Sequence, residues 1–320
     1  MRIAVLVKQV PRAESMELLP SGRIQRDGVE LEMNAYCRRA VSKGVELARD
    51  SGGSCTVFTL GPPSAEDVLR EAVGWGADEG VLLSDPQFAG SDTLATARAL
   101  AAALDKEGPW DLVLVGRNSI DADTGQVGPE LAELLGLPFA AGVRELAIQK
   151  GVAEVRCELD DGWRRLSVSL PAVLSTAERL TEPCKVAPED RVLVQEDKIS
   201  RLAAVDLGFG PWGQAGSPTT VGRVRVMDVD RRRVVLSGPV ADQVSCAVDL
   251  LWEWGALDEL RPDGPGLSNQ TAEPDLDAVG GERHGSRLTL SGPVESEGDD
   301  RRIVCVVLEP DRPRSARELL

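Results

Sequence analysis

Residues 112–136 read LVLVGRNSIDADTGQVGPELAELLG. The segment opens on the apolar run Leu112–Gly116, continues through a loop of small and polar residues, and ends in a stretch around 129–135 that predicts a helix. An unbroken apolar run is typical of a strand buried on both faces of a parallel sheet. The segment therefore predicts a strand, a long loop and a helix, which is the repeating unit of α/β folds.

The same unit recurs on the N-terminal side. Strands are predicted over 3–7, 55–60 and 80–83, and helices over 34–50, 65–75 and 92–107. Asn34 and Ser64 are expected to cap the first two helices, and Gly52 and Gly76 to end them. This alternation predicts an α/β fold with a mostly parallel, doubly wound sheet that carries helices on both faces.

The carboxyl ends of the strands mark the expected binding site. Open parallel sheets bind ligands beyond these ends, at the point where the strand order reverses. In this sequence the ends fall near Leu6, Leu60 and Gly116.

Beyond residue 142 the alternation of predicted strands and helices ends, and short predicted strands follow one another. Strands are predicted over 142–149, 152–159, 163–169 and 172–175. Asp160-Asp161-Gly162 is a good hairpin turn between two of them. We expect these strands to extend the same sheet in antiparallel fashion.

Charge and composition exclude several classes of protein. The chain has 320 residues, a formal net charge of −16 and one histidine, His284. Since phosphates repel an acidic surface, nucleic acids and membrane surfaces are not expected partners. His284 lies in a Gly-rich polar stretch, which argues against hydrolases that use a Ser-His or Cys-His pair. The N-terminal apolar run ends at Lys8 and is too short for a signal peptide or a membrane span.

The cysteines indicate neither a metal site nor a disulfide framework. Six occur, at 37, 55, 157, 184, 246 and 305, and no two form C-x-x-C. Scattered thiols in a long chain are typical of a reducing compartment. We therefore expect a cytoplasmic protein without a bound metal.

The loop after the strand Leu112–Gly116 carries groups that can bind an anionic ligand. Its small residues let backbone N–H groups approach, and the following helix adds the positive end of its dipole. Ser119 and Thr124 can donate hydroxyls, Asn118 and Gln126 can donate amides, and Arg117 can neutralise charge. The two aspartates, at 121 and 123, are expected to accept from loop amides or from a ribose, because like charges repel. A surface loop that merely turns remains the alternative, since both the P-loop and the G-x-G-x-x-G fingerprint are absent.

Four motifs, in order along the chain, resemble those of electron-transfer flavoprotein β subunits. Residues 116–128 resemble the family's G-[KR]-Q-[AS]-I-D-x-D-x-x-Q-x-G loop, and 3–8 resemble its first strand, L-V-x-V-K. Residues 33–37, MNAYC, resemble M-N-P-[FY]-[CD], and LPAV at 170–173 with RLTEP at 179–183 resembles L-P-A-V…R-L-N-E-P. A later D-L-G matches at 206–208. The resemblance covers roughly residues 1–226.

The resemblance implies an adenine-nucleotide α-hydrolase-like fold and a heterodimer with an α subunit. In this family the α subunit holds the redox FAD and the β subunit covers one side of it, as an electron carrier without catalytic residues of its own. The β subunit also buries a nucleotide in its own sheet, AMP in housekeeping members and a second FAD in electron-bifurcating members. Tyr36 takes the place of an aromatic residue near the α-bound flavin. Carried over by position, the cofactor contacts are Leu6, Asn34, Ala35, Tyr36, Cys37, Leu60, Gly116, Arg117, Asn118, Ser119, Ile120, Asp121, Asp123, Thr124, Gly125, Gln126 and Val127.

Two details bear on the ligand and the redox partner. The run DADTGQVGP at 121–129 looks closer to the bifurcating type, D-G-D-T-A-Q-V-G-P, and both AMP and a second FAD stay open. The segment Leu180, Thr181, Glu182 and Pro183 corresponds to a docking loop for dehydrogenases. Thr181 and Cys184 depart from the family's Asn and Arg, and the lysine run that follows in the mammalian type is missing. A specialised flavin-dependent or other dehydrogenase is the expected redox partner.

The C-terminal third falls outside most of the resemblance. We predict a nucleotide-binding domain over 1–226, a strand–helix extension over 227–260, a flexible linker over 261–287 and a strand segment over 288–320. The linker is rich in Gly, Pro, Asp and Glu, so this C-terminal extension is expected to be partly disordered. Residues 302–320 resemble the first strand and helix of an α subunit, which implies a donated strand or a divided β–α fusion.

Two other classes remain as alternatives to the electron carrier. One is a free-standing, universal-stress-like adenine-nucleotide binder, and the other is an adenylating enzyme on a similar sheet. The SGG run at 51–53 precedes a strand instead of following one, which argues against the adenylating enzyme.

Overall fold

The computed structural model describes residues 1–19, 24–160, 162–222 and 234–257. The chain divides into two compact units, whose described parts are residues 1–222 without the two gaps, and residues 234–257. In the first unit the strands are β1 Arg2–Leu6, β2 Gln9–Pro11, β3 Leu31–Met33, β4 Ser54–Leu60, β5 Glu79–Leu83, β6 Leu112–Gly116, β7 Phe139–Gln149, β8 Val152–Leu159, β9 Gly162–Ser169, β10 Ala172–Thr176 and β11 Ile199–Leu202. The helices are α1 Ala35–Ser51, α2 Glu66–Trp75, α3 Thr93–Glu107, α4 Val127–Leu135, α5 Pro188–Arg191 and α6 Gly213–Gly216. The second unit contributes α7, Val240–Glu253.

One large sheet organises the first unit. Its strand order is β11-β5-β4-β1-β6-β10-β7-β8-β9, and β2 and β3 form a separate antiparallel pair. Every neighbouring pair from β11 to β7 is parallel, and β7, β8 and β9 are antiparallel. The predicted fold class, a mostly parallel sheet with antiparallel extension strands, is confirmed.

Helices cover both faces of the parallel part. Ile3 and Val5 of β1 point into a core shared with α1 and α2, and Ala4 and Leu6 point into a core shared with α3 and α4. All four side chains are buried, which explains why the strand is an unbroken apolar run instead of an alternating one.

The winding of the chain creates a switch point between β1 and β6. From β1 the chain passes through α1 to β4 and through α2 to β5, and α3 then returns it to β6 on the other side of β1. The connections therefore leave β1 and β6 toward opposite faces of the sheet. A crevice opens where such strands end, and the loops that follow β1 and β6 line it.

The position of β10 corrects one expectation. Residues 172–175 were expected in the antiparallel extension, but β10 lies between β6 and β7 and is parallel to both. All five of its residues are buried, because α1 packs on one of its faces and α4 on the other. The edge strand β11 was not predicted at all, since its two inner residues, Ser200 and Arg201, are exposed and polar.

The helix starts differ from the expected caps. Asn34 stands at the cap position of α1, but its side chain makes no capping hydrogen bond. Ser64 belongs to a 3₁₀ turn, Pro63–Ala65, that precedes α2 and also lacks a side-chain cap. The two expected glycine stops are confirmed, with Gly52 at a φ of 62° and Gly76 at 129°.

Several predictions fall on residues outside the described ranges. They are Asp161 of the hairpin turn, His284, the linker 261–287 and the segment 288–320. The helix of the extension predicted over 227–260 is α7, and residues 234–239 before it contain no strand.

Candidate functional site

The loop 117–126 begins at the switch point, in contact with the start of α1. A Cβ atom on Gly116 would lie 2.9 Å from the backbone nitrogen of Cys37 and 3.1 Å from the carbonyl carbon of Tyr36. A glycine at this position therefore lets the end of β6 approach the first turn of α1. The sequence motifs around 33–37 and 116–128 meet here, as their shared place at one sheet edge predicts.

Asn34 fixes the first half of the loop. Its Nδ2 donates to the carbonyl oxygen of Asn118 at 2.7 Å, and its Oδ1 accepts from the backbone N–H of Ile120 at 3.1 Å. The residue is fully buried. The side chain thus forms the hydrogen bonds that the loop backbone would otherwise need from a neighbouring strand. Because both ends of its amide are engaged in this way, Asn34 does not cap α1.

Asp121 anchors the second half of the loop to two cations. Its carboxylate accepts from Lys8 Nζ at 2.7 Å and from the guanidinium of Arg26, while its own side chain is only 1% exposed. Burial opposes ionisation, but the charge of Lys8 and hydrogen bonds from Lys8, Arg26 and Ser119 outweigh it and lower the pKa of Asp121. Lys8 and Arg26 were not among the predicted site residues. For Lys8, the final residue of the L-V-x-V-K motif was the available signal.

The turn within the loop is held by its own side chains. Asn118 Nδ2 donates to the carboxylate of Asp123, and the backbone N–H of Asp123 donates to the carbonyl of Ser119 at 2.7 Å. Asp123 and Gly125 adopt left-handed φ values of 49° and 62°. Asp123 therefore accepts from an amide of the loop, as expected, whereas Asp121 accepts from Lys8 and Arg26 outside the loop.

The remaining polar side chains of the loop point outward. Arg117, Thr124 and Gln126 are exposed, and Gln126 lies at the start of α4. The first N–H groups of a helix have no intrahelical acceptor. An exposed cation, a hydroxyl and an amide thus lie in the loop that leads into the positive end of a helix dipole, and groups of these kinds suit an anion.

The other predicted contacts lie close by in the fold: Leu6 and Leu60 end β1 and β4, and the first turn of α1 contains Ala35, Tyr36 and Cys37. Leu6 and Cys37 are buried, Leu60 and Tyr36 are partly buried, and Ala35 is exposed. Burial raises the pKa of the Cys37 thiol despite the hydrogen bond from Asn34, and a thiol that stays protonated is a weak nucleophile. Partial burial raises the pKa of the Tyr36 hydroxyl, and the carboxylate of Glu178 adds to the shift. Leu60 lies one strand away from β1 on the same edge.

The expected docking segment, Leu180 to Pro183, ends at a buried anchor. Cys184 is buried, its N–H donates to the carbonyl of Arg38 at 3.2 Å, and its carbonyl accepts from Arg38 Nη1 at 3.2 Å. Glu182 is exposed, whereas Leu180, Thr181 and Pro183 are partly buried. The thiol of Cys184 has a pKa raised to about 12, mainly by burial.

A buried carboxylate ties the residues after this segment to two helices. Glu71 of α2 is fully buried and forms ion pairs with Arg38 of α1 and with Arg191, the latter at 3.1 Å. Arg191 also reaches Asp67 at 2.6 Å. The stretch 184–191 is therefore held on the α1–α2 face of the sheet.

Two features are absent from the described parts of the chain. No cluster of three or more His, Cys, Asp or Glu side chains is placed to hold a metal ion within those ranges. Among the helices described, none combines the length and the apolar character that crossing a bilayer requires.

Known proteins with similar sequences point to one family. Residues 21–203 match the electron transfer flavoprotein domain. Over 256 residues the chain is 34% identical to the electron transfer flavoprotein subunit beta of Clostridium acetobutylicum, covering 79% of this chain and 98% of that protein. It is 36% identical over 259 residues to protein FixA of Bradyrhizobium diazoefficiens, covering 78% and 90%. It is also 36% identical over 227 residues to the caffeyl-CoA reductase-Etf complex subunit CarD of Acetobacterium woodii, covering 70% and 87%. The chain therefore belongs to the electron transfer flavoprotein family and is an electron-transfer subunit of the β type.

Proposed function

We propose that this chain pairs with an α-type subunit, covers one side of the FAD held there, and binds a second adenine nucleotide at the loop 117–126. The observation that carries the proposal is the double anchoring of that loop at the switch point, by Asn34 on one side and by Asp121 with Lys8 and Arg26 on the other. A loop that merely turned would not need a fully buried asparagine and a buried carboxylate to hold its backbone.

The residues present suit an adenine nucleotide. Lys8 and Arg26 neutralise Asp121, and Asn118 engages Asp123, so neither carboxylate is left to repel a phosphate. Arg117, Thr124 and the first N–H groups of α4 would hold the phosphate. Leu6 and Leu60 supply an apolar sheet edge against which an adenine ring would pack, and Cys37 adds an apolar group from the first turn of α1.

Bound FAD would supply the redox chemistry, and this chain's residues would bind and orient it and exclude water. We assign Tyr36 to the flavin-facing side, because its ring is half-buried beside the loop. We assign Leu180 to Pro183 to contact with a dehydrogenase that delivers electrons, and the buried thiols at 37, 55, 157 and 184 fit a reducing, cytoplasmic setting.

The nucleotide of this chain is either AMP or a second FAD. Two observations favour a second FAD and membership of a bifurcating complex: the run DADTGQVGP at 121–129, and the similarity to CarD, a subunit of a reductase–Etf complex. The adenosine half is common to both ligands, so the anchoring of the loop serves either one.

The test is to co-express the chain with an α-type subunit, denature the purified pair, and identify the released nucleotides. A yellow complex that releases FAD together with AMP, or two FAD per pair, supports the proposal. A colourless complex would favour a universal-stress-like binder or an adenylating enzyme. Release of one FAD and one AMP would exclude the second-FAD form.

A further inference from the structure

Three side chains meet beside the proposed nucleotide loop. Thr93 is the first residue of α3, Gln126 precedes α4, and Glu130 lies in the first turns of α4. The hydroxyl oxygen of Thr93 is 3.2 Å from Oε1 of Gln126 and 3.0 Å from Oε1 of Glu130. Both are hydrogen-bond distances.

The single hydroxyl proton of Thr93 limits how these contacts can be made. A threonine hydroxyl has one proton, so it cannot donate to two oxygens, although its oxygen can also accept. A carboxylate is the stronger acceptor, because hydrogen bonds to ionised groups are about twice as strong as neutral ones. Thr93 therefore donates to Glu130 when that group is ionised. Gln126 must then turn its NH₂ group toward Thr93, which a half-turn of the amide achieves without changing its shape.

We propose that Thr93 and Glu130 are positioning residues that turn the carbonyl oxygen of Gln126 toward the loop 117–125, where it accepts a hydrogen bond from the adenosine part of the bound nucleotide. The donor on the ligand is a ribose hydroxyl or the adenine amine. This assignment rests on the proposed nucleotide site. It reverses the role expected from the sequence, in which Gln126 donates its amide to phosphate.

In this arrangement, the protonation state of Glu130 decides whether the carbonyl oxygen or the NH₂ group of Gln126 faces the ligand. Burial raises the pKa of Glu130, the hydrogen bond from Thr93 opposes the shift, and the charge of Asp92 at the start of α3 adds to it. Its second oxygen, Oε2, is buried and has no hydrogen-bond partner among the described residues. Once protonated, Glu130 donates to Thr93, Thr93 donates to Gln126, and the NH₂ of Gln126 faces the ligand instead. Acid should therefore weaken nucleotide binding by exchanging an acceptor for a donor.

The test uses the α/β pair, freed of nucleotide and titrated calorimetrically with AMP at pH 7. Glu130→Gln favours the reversed polarity at every pH, because an N–H at the buried Oε2 position would have no acceptor among the described residues. Thr93→Val removes the relay with little change of shape. Both should bind AMP about ten-fold more weakly, the cost of one lost hydrogen bond. Thr93→Ser keeps the hydroxyl and should bind like the wild type.

Two further readouts separate positioning from simple damage. Wild-type affinity should fall as the pH is lowered, whereas Glu130→Gln should lack this component. The 2′-deoxy and 3′-deoxy forms of AMP and purine riboside monophosphate each lack one candidate donor. One of the three should bind more weakly than AMP to the wild type, and as well as AMP to Glu130→Gln.

The outcomes distinguish this inference from the function on which it rests. If the wild-type pair binds neither AMP nor FAD in this chain, both are wrong. If it binds AMP, but Glu130→Gln and Thr93→Val bind equally well with the same pH profile, the relay is overturned and the nucleotide site stands.

Discussion

The side-chain oxygen of Asn34 accepts a hydrogen bond from the backbone N–H of Ile120 at 3.1 Å, across 86 positions of sequence. With its second bond, to the carbonyl of Asn118, this residue joins the start of α1 to the loop after β6. The two segments come from neighbouring strands of the switch point, β1 and β6. One amide therefore couples both walls of the proposed nucleotide site.

Replacing Asn34 by Asp should destabilise the protein and weaken nucleotide binding. The donor to Asn118 disappears, and a carboxylate then faces a carbonyl oxygen in a fully buried position. An unsatisfied buried group of this kind costs about 2 kcal/mol or more. Urea denaturation measures the loss. Gln9→Glu is the matched control, because Gln9 donates to the carbonyl of Ser64 at the surface and should lose little stability. Equal losses in the two variants would contradict the anchoring role.

Gly116→Ala should separate β6 from α1. The added methyl group would lie 2.9 Å from the backbone nitrogen of Cys37, which cannot move without shifting the helix. Overpacking of this kind costs about 1–3 kcal/mol. Thermal unfolding of the purified protein measures it. Gly222→Ala is the control, because no atom of the described residues lies within 4 Å of its added methyl group. An unchanged melting temperature for Gly116→Ala would show that the close approach is not required.

Asp121→Asn should reduce stability at pH 7 by about 2 kcal/mol, because Lys8 and Arg26 lose their shared counter-charge and one of them then faces an NH₂ group instead of an acceptor. The folded-state pKa of Asp121 is lowered, so its contribution is complete above the unfolded value of about 4 and is lost as the pH falls through the folded value. The difference from the wild type should therefore shrink below about pH 4. Urea denaturation at several pH values tests this. The exposed control Asp105→Asn should show no such difference, and a gap that stayed constant into acid would count against the ion-pair account.

Glu71→Gln should be the most damaging of these substitutions. It removes the fully buried negative charge that Arg38 and Arg191 share, and leaves them only the more exposed carboxylates of Glu32 and Asp67. Removing one partner of a buried ion pair costs about 3–5 kcal/mol. Stability by urea denaturation and electron acceptance from a dehydrogenase should both fall, because Arg191 holds the stretch that follows the docking segment. The exposed Glu133→Gln on α4 should change neither.

The sequence predicts the parallel strands well, because runs such as Leu112–Gly116 are apolar without interruption and allow few other structures. It does not place β10 correctly. Local pattern indicates burial on both faces, but the choice of β6 and β7 as neighbours depends on long-range pairing. That same pattern of continuous burial was the available signal for a central position.

Only part of the site could be predicted from the sequence. The motifs around Asn34 and Gly116 point to one sheet edge, and the structure brings them into contact. The partners of Asp121 were not predictable from spacing, since Lys8 lies 113 positions away and Arg26 lies 95 positions away. Ion pairs between a loop residue and distant cations produce no repeating pattern in the sequence.

The most direct test of a nucleotide site in this chain is the number of adenine nucleotides released per denatured α/β pair, compared between the wild type and Asn34→Asp. We predict two per wild-type pair, with one FAD shared between the subunits and one AMP or FAD in the loop 117–126. We predict that Asn34→Asp loses the second nucleotide and keeps the first. A single FAD per wild-type pair, with no second nucleotide, would contradict the account.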